Sequence, residues 1–107
     1  MPKNKKSTER SLEITVNGNR ITTVLIGQHY LIKHRSYMSD ALILEIVSAL
    51  NGYTFLVDST TEGIEYYVAD VELAPTNKIY RIIWLFEGVK LEVLGVINAY
   101  RRSKKKR

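Results

Sequence analysis

The segment that most constrains the fold of this chain runs from Ile79 to Phe86 and reads Ile-Tyr-Arg-Ile-Ile-Trp-Leu-Phe. Apolar side chains occupy both its odd and its even positions, so a β-strand here is apolar on both faces. Strands of that kind lie in the interior of a sheet that other elements cover. We therefore predict that this segment is a central strand.

Turn residues and alternating hydrophobicity predict the strands around it. Asn17-Gly18 stands between Leu12–Val16 and Ile21–Ile26, and this dipeptide supplies the two positive φ angles of a type I′ β-hairpin. The sequence predicts three more strands, each bounded by turn-forming residues: Tyr53–Val57, Ile64–Val71 and Leu91–Ile97. The first two are joined by a predicted turn over residues 58–63.

Two helices are predicted between the hairpin and these later strands. The first spans residues 28 to about 37. The second, Ala41–Leu50, is apolar on most sides, which is typical of a helix packed closely against a sheet. Ser39 resembles its N-cap, and Asn51-Gly52 is a common C-terminal stop signal.

The predicted order of elements is ββ-αα-ββββ, an α+β fold with an N-terminal β-hairpin, two helices and a four-stranded antiparallel sheet. A chain of 107 residues has the length of a single domain with one hydrophobic core. We place that domain at residues 11–102, between a disordered basic arm at 1–10 and a basic tail at 103–107.

The net charge of +5 comes from the two ends of the chain. Four of the first ten residues are Lys or Arg, as are six of the last seven, whereas acidic residues outnumber basic ones between Ser11 and Tyr100. Positive charge concentrated in this way favours a polyanionic partner, and RNA is the first choice. The alternative is that both ends only increase solubility.

Composition also excludes several kinds of site. The chain has no cysteine, so it has neither disulfides nor thiolate metal ligands. No apolar run approaches the length of a membrane span, and the basic N-terminus is not followed by the apolar stretch of a secretory signal. We expect a cytoplasmic protein with no membrane partner and no cofactor; the sequence leaves the oligomeric state open.

The ends of the two C-terminal strands carry polar side chains that could meet on one face. If an even number of residues connects these strands, Arg81 shares a face with Leu94, Val96, Asn98, Tyr100 and Arg102, whereas an odd number reverses the assignment. A cation, an amide and a phenol that converge could bind phosphate and stack on a base. The alternative is that Arg81 pairs with Glu65 or Glu72, and that Tyr100 only caps the core.

His29 and His34 are the only histidines, and both fall in the first predicted helix. Five residues separate them, which places them about 140° apart around a helix and makes a shared metal ion improbable. Neighbouring Lys33 and Arg35 favour a neutral imidazole, which could act as a general base. Either histidine could equally be an ordinary surface residue.

Residues 28 to 102 resemble the small RelE/ParE-type toxins and, more broadly, the barnase/EndoU/colicin/RelE group of compact endoribonucleases. The resemblance lies in the helix that begins His29-Tyr-Leu-Ile-Lys-His34-Arg35, the helix start Ser39-Asp40, and the closing segment Gly95-Val-Ile-Asn-Ala-Tyr-Arg-Arg102. It implies metal-independent cleavage of RNA, in which the ribose 2′-hydroxyl attacks the adjacent phosphate.

The resemblance also implies a role for each candidate residue. It makes His34 or His29 the general base and Tyr100 a stacking group or the acid. The substrate-binding residues that it implies are Arg35, Arg81, Asn98, Arg101 and Arg102. RNA or the ribosome is then the expected substrate, and a proteic antitoxin the expected partner. Two other hypotheses remain open: a non-catalytic nucleic-acid-binding domain that uses its basic termini, and a small protein-interaction domain.

Overall fold

Six β-strands and one α-helix form the part of the chain that the computed structural model describes, residues 7–27 and 36–102. All six strands belong to one sheet, in the order β1-β2-β6-β5-β4-β3. The elements are β1 (Ser7–Val16), β2 (Asn19–Gly27), α1 (Asp40–Ser48), β3 (Ser59–Thr61), β4 (Ile64–Leu73), β5 (Lys78–Glu87) and β6 (Val93–Arg102).

The prediction of a central strand at 79–86 is confirmed, because β5 lies between β4 and β6. Ile82 and Trp84 point to one face of the sheet and are fully buried there. Arg81 and Ile83 point to the other face and are half-buried. We call the first face, on which α1 packs, the inner face, and the second the outer face.

The predicted ββ-αα-ββββ fold is wrong, since the described chain is mostly β, with one short helix and a six-stranded mixed sheet. The N-terminal hairpin does not stand apart from an antiparallel four-stranded sheet. Its second strand runs parallel to β6, with Thr23–Ile26 beside Val93–Val96. This pairing brings Val24 and Ile26 next to Leu94 and Val96 on the inner face, where all four are buried. The first predicted helix lies mainly on residues 28–35, outside the described residues.

The hairpin prediction is confirmed at the turn itself. Asn17 and Gly18 have φ angles of 54° and 77°, and Val16 pairs with Asn19. Both angles lie in the left-handed region that a type I′ turn requires. The first strand begins at Ser7, so residues 7–10, which composition placed in the basic arm, extend the ladder with β2.

The helix α1 begins directly after its predicted N-cap, but it ends at Ser48, two residues before the predicted end at Leu50. Ser39 is its N-cap, with its hydroxyl accepting a hydrogen bond from the Leu42 amide at 3.1 Å. The buried side chains of the helix, Ile43, Ile46 and Val47, pack on the inner face of the sheet. No helix within the described ranges is both long and apolar enough to cross a membrane.

The prediction of a strand at Tyr53–Val57 is wrong, because this segment contains no strand. The strand β3 forms later, at Ser59–Thr61, inside the predicted turn. The backbone of this segment bonds to the hairpin turn instead. The Asn17 amide donates to the Tyr53 carbonyl at 2.9 Å, and the Asn17 side chain pairs with the backbone of Phe55. The turn into β4 is shorter than predicted, at Glu62-Gly63, both with positive φ.

Candidate anion-binding site

Four polar side chains meet on the outer face of the sheet, near the C-terminal end of β6. Arg81 on β5 lies directly opposite Tyr100 on β6 and opposite Asp70 on β4. Arg102 lies two residues beyond Tyr100 and therefore on the same face. We call Asp70, Arg81, Tyr100 and Arg102 the Asp70 cluster.

A bulge in β6 produces this juxtaposition. The connection from β5 to β6 contains five residues, 88–92, and an odd number turns Tyr100 away from Arg81 if the ladder is regular. The ladder is irregular: Trp84 pairs with Val96 and Ile83 with Asn98, which leaves Ile97 without a pairing partner. This extra residue shifts the alternation by one, so that Tyr100 shares the outer face with Arg81.

The prediction of which β6 side chains share a face with Arg81 is therefore right after the bulge and wrong before it. Asn98, Tyr100 and Arg102 share the face of Arg81. Leu94 and Val96 do not, because they precede the bulge; both point to the inner face and are buried there.

Asp70 holds the two arginines of the cluster together. Arg81 donates two hydrogen bonds to it, Nε to Oδ1 at 2.9 Å and Nη2 to Oδ2 at 3.2 Å. Arg102 donates a third, from Nη1 to Oδ2 at 2.9 Å. Of the alternatives that the sequence left open, an acidic partner for Arg81 is thus correct, but the partner is Asp70 and not Glu65 or Glu72.

These contacts perturb the ionisation of the cluster. The hydrogen bond from Arg81 lowers the pKa of Asp70, and Arg102 acts in the same direction against the opposing effect of burial. The same bond raises the pKa of Arg81, to which hydrogen bonding by Tyr100 also contributes. Asp70 is therefore ionised at neutral pH and cannot act as a general acid there.

Arg101 belongs to a different surface from Arg102. It pairs with Tyr80, which points to the inner face, and its guanidinium carbon lies 4.7 Å from the centre of the Tyr37 ring. Its backbone amide donates a hydrogen bond to the Tyr37 hydroxyl at 3.1 Å. The sheet thus separates two arginines that the sequence analysis assigned to one substrate-binding set.

Asn98 lies beside the Asp70 cluster, opposite Ile83 and two residues before Tyr100. Its Oδ1 atom accepts a hydrogen bond from the Ala99 amide at 2.9 Å. This bond fixes the side chain next to the bulge, where its amide nitrogen is available as a donor to a ligand.

The other three candidate residues, His29, His34 and Arg35, lie outside the described residues. Within residues 7–27 and 36–102, no group of three or more acidic or histidine side chains could hold a metal ion.

Sequence reasoning missed Asp70 and Tyr37. Asp70 and Glu72 lie two residues apart on the same face of β4. Which of these two carboxylates lies opposite Arg81 depends on how the turn at residues 74–77 sets the register. Tyr37 contacts a residue 64 positions later, and no local pattern signals such a contact.

No family model, curated protein or solved structure matches the chain. The resemblance to RelE/ParE-type toxins therefore remains a hypothesis from the sequence.

Proposed function

We propose that this chain is a cytoplasmic RNA-binding protein whose outer-face arginines contact the phosphate backbone. One observation carries the proposal: Arg81 and Arg102 both bond to the carboxylate of Asp70, each with a contact of 2.9 Å. Two guanidinium groups that converge on one oxyanion can also converge on a phosphate, which accepts the same charge-assisted hydrogen bonds.

Neighbouring side chains favour RNA among polyanions. Tyr100 is half-buried beside Arg81, and its ring can stack on an unpaired base. Asn98 lies on the same face and can bond to a base edge. Aromatic stacking combined with side-chain bonds to exposed base edges is how proteins recognise single-stranded RNA.

Charge at this end of β6 supports the same proposal. Arg81 and Arg102 against Asp70 leave a net charge of +1 (two cations minus one anion) in the cluster. The sequence adds Lys104, Lys105, Lys106 and Arg107 directly after Arg102. The phosphate chain of RNA can bind these cations together and release its counterions, so the affinity should fall with salt.

The decisive test compares Arg102→Gln with Arg101→Gln, two variants of equal charge whose parent side chains lie on opposite faces of β6. Fluorescence anisotropy with a labelled single-stranded RNA measures affinity between about 50 and 200 mM salt. We expect Arg102→Gln to weaken binding about three- to tenfold and to reduce the salt slope by about one, and Arg101→Gln to have the smaller effect. Equal losses from both variants, or no loss, would reject the cluster as the phosphate site. Tighter binding to DNA of the same sequence would reject RNA as the ligand.

Cleavage of RNA is a second candidate, which one contact favours. The Tyr37 hydroxyl accepts a hydrogen bond from the backbone amide of Arg101, the residue between Tyr100 and Arg102. Tyr37 follows His34 by three residues. Chain connectivity therefore limits the distance from the His34 Cα to that of Tyr37 to about 11 Å. In the proposed reaction the 2′-hydroxyl gives its proton to a base and attacks phosphorus. The bond to the 5′-oxygen breaks, that oxygen takes a proton, and a 2′,3′-cyclic phosphate remains.

The second candidate has its own test. Purified protein should cut a labelled RNA in the presence of EDTA and leave 2′,3′-cyclic phosphate ends. The variants His34→Ala and His29→Ala, tested separately, should show which histidine is needed, with circular dichroism as a check of folding. Intact RNA after incubation with the wild-type protein would remove cleavage and leave RNA binding untouched.

A further inference from the structure

Among the described residues, no strand covers most of the sheet edge at β4. The short strand β3 pairs with β4 only at Ile64–Tyr66. The following seven residues, Tyr67–Leu73, pair with β5 on one side, and no described strand lies on the other. A strand of this length extends about 23 Å and presents a row of backbone N–H and C=O groups to a possible partner.

A groove with both polar and apolar lining runs beside this edge on the inner side. It has a volume of about 400 Å³. The C-terminal end of α1 and the following connection form one wall, with Leu50 buried, Phe55 partly buried and Tyr53 63% exposed. Residues Ala69 to Glu72 of β4 form the other wall. A side chain that points inward from an added strand would enter this groove and cover Tyr53.

The outer side of the same edge carries two carboxylates, of which, within the described part of the chain, only Asp70 is paired with arginines. Asp70 and Glu72 both point to the outer face, two residues apart. Asp70 is held by the arginines of its cluster, whereas Glu72 is exposed and forms no ion pair with a described residue. A side chain that points outward from an added strand would therefore meet the carboxylate of Glu72.

We propose that the β4 edge binds an extended segment of a partner protein in which cationic and apolar residues alternate. The segment adds as a seventh strand, with backbone hydrogen bonds to Tyr67–Leu73. Its apolar side chains fill the groove, and its cationic side chains pair with Glu72 across the strands. This surface shares Asp70 with the proposed RNA site, but the proposal does not depend on RNA binding.

Charge and position favour a partner over the chain itself. A second copy that pairs through its own β4 edge places acidic side chains opposite one another, which is destabilising. The strand β1 forms the far edge of the sheet, and three strands separate it from β4. The C-terminal residues 103–107 read Ser-Lys-Lys-Lys-Arg and contain no apolar side chain that could fill the groove.

The probe for this proposal is a seven-residue peptide in which lysine alternates with valine or leucine, capped at both ends. Backbone amide shifts in the full chain should change along Ala69–Leu73, and the Tyr53 ring signals should change with them. An analogue that carries N-methyl groups on the residues facing β4 keeps the charge and the apolar side chains but cannot pair with the edge. We expect it to bind at least tenfold more weakly.

Two charge variants test the acidic side of the edge. Glu72→Lys should weaken binding of the lysine peptide about fivefold and improve binding of the matching glutamate peptide. Glu13→Lys makes the same change on β1, where the side chain is 76% exposed, and serves as the matched control without effect. Tyr53→Ser should weaken both peptides, because it removes one wall of the groove.

Three results would overturn the proposal. The N-methylated peptide could bind as tightly as its parent, or the amide shifts could lie outside β4 and the groove. The lysine peptide could fail to bind at millimolar concentration. Light scattering could show a dimer that Glu72→Lys dissociates, which would assign the edge to a second copy of the chain.

Discussion

The side-chain amide of Asn17 pairs with the backbone of Phe55, 38 residues later in the chain. Its Nδ2 atom donates to the Phe55 carbonyl and its Oδ1 atom accepts from the Phe55 amide, each at 2.9 Å. The same residue has a φ angle of 54°, as the type I′ turn requires. One side chain thus shapes the hairpin and fixes the connection after α1 against it.

Replacing Asn17 separates these two roles. Asn17→Gly keeps the left-handed backbone but leaves two polar groups of Phe55 without partners, at a cost of about 1–3 kcal/mol. Asn17→Ala adds the strain of a left-handed alanine, about 1 kcal/mol more. Urea denaturation of the two variants and the wild type measures both differences. A loss below about 0.5 kcal/mol for Asn17→Ala would show that the pairing does not contribute to stability.

The pKa of Asp70 predicts a pH dependence of stability. Because this pKa is lowered by Arg81, the ionised carboxylate stabilises the folded state above the unfolded pKa of about 3.9. That contribution is lost as the pH falls through the lower folded pKa. Asp70→Asn should therefore reduce the free energy of unfolding at pH 7 by less than about 1 kcal/mol, since solvent screens the exposed cluster. The difference from the wild type should shrink as the pH falls below the unfolded value, and a difference that grew towards acid would contradict the assignment.

Asp70 also competes with any anion for the two arginines. Asp70→Asn should raise the affinity for RNA about three- to tenfold at low salt, because Arg81 and Arg102 lose a bound carboxylate. Glu72→Gln is the matched control, since it removes the same charge from the same face of β4 without releasing an arginine. If both variants raise the affinity equally, the increase comes from the change in net charge and not from the release of the two arginines.

The contact between Tyr37 and Arg101 can be tested by amide hydrogen exchange. Tyr37→Phe removes the acceptor of the Arg101 amide but keeps the ring over which the guanidinium lies. We expect faster exchange at Arg101 and a loss of about 0.5–1.5 kcal/mol in stability. Tyr37→Ala should cost more, because it also removes the cation–π contact. Unchanged exchange at Arg101 in Tyr37→Phe would show that the hydrogen bond is not formed in solution.

Trp84, the only tryptophan, is the largest fully buried side chain of the core. It stacks on Tyr67 with ring centres 5.6 Å apart, and its Nε1 has no hydrogen-bond partner among the described residues. Trp84→Phe leaves a smaller ring but removes this unpartnered donor, so we expect it to cost clearly less than Trp84→Ala. The alanine variant should lose about 3–5 kcal/mol. Unfolding followed by far-ultraviolet circular dichroism measures both, and equal losses would contradict this account of the donor.

Local sequence signals identified the elements that depend on the conformational preferences of neighbouring residues. The turn at Asn17-Gly18 and the N-cap at Ser39 each rest on the conformational preferences of one or two residues. The central position of β5 follows from its own apolar composition. By contrast, Tyr53–Val57 has the composition of a strand but bonds to a turn that is far away in the sequence.

The candidate site shows the same division. Sequence could propose that Arg81 meets Tyr100, because alternation along a strand is local. It could not supply the bulge at Ile97 that makes the meeting possible, or the choice of Asp70 over its neighbours as the acidic partner.

The sequence by itself determined the turn at Asn17-Gly18, the start of the helix at Ser39, the central strand and the concentration of positive charge at both ends. Only the tertiary structure decided that β2 runs parallel to β6, that Arg101 and Arg102 point to opposite faces, and that β3 covers only Ile64–Tyr66 of β4. These outcomes depend on pairing between segments far apart in the chain. Strand pairing is selected by the fit of whole faces in the core, and a shift of one residue changes which side chains meet.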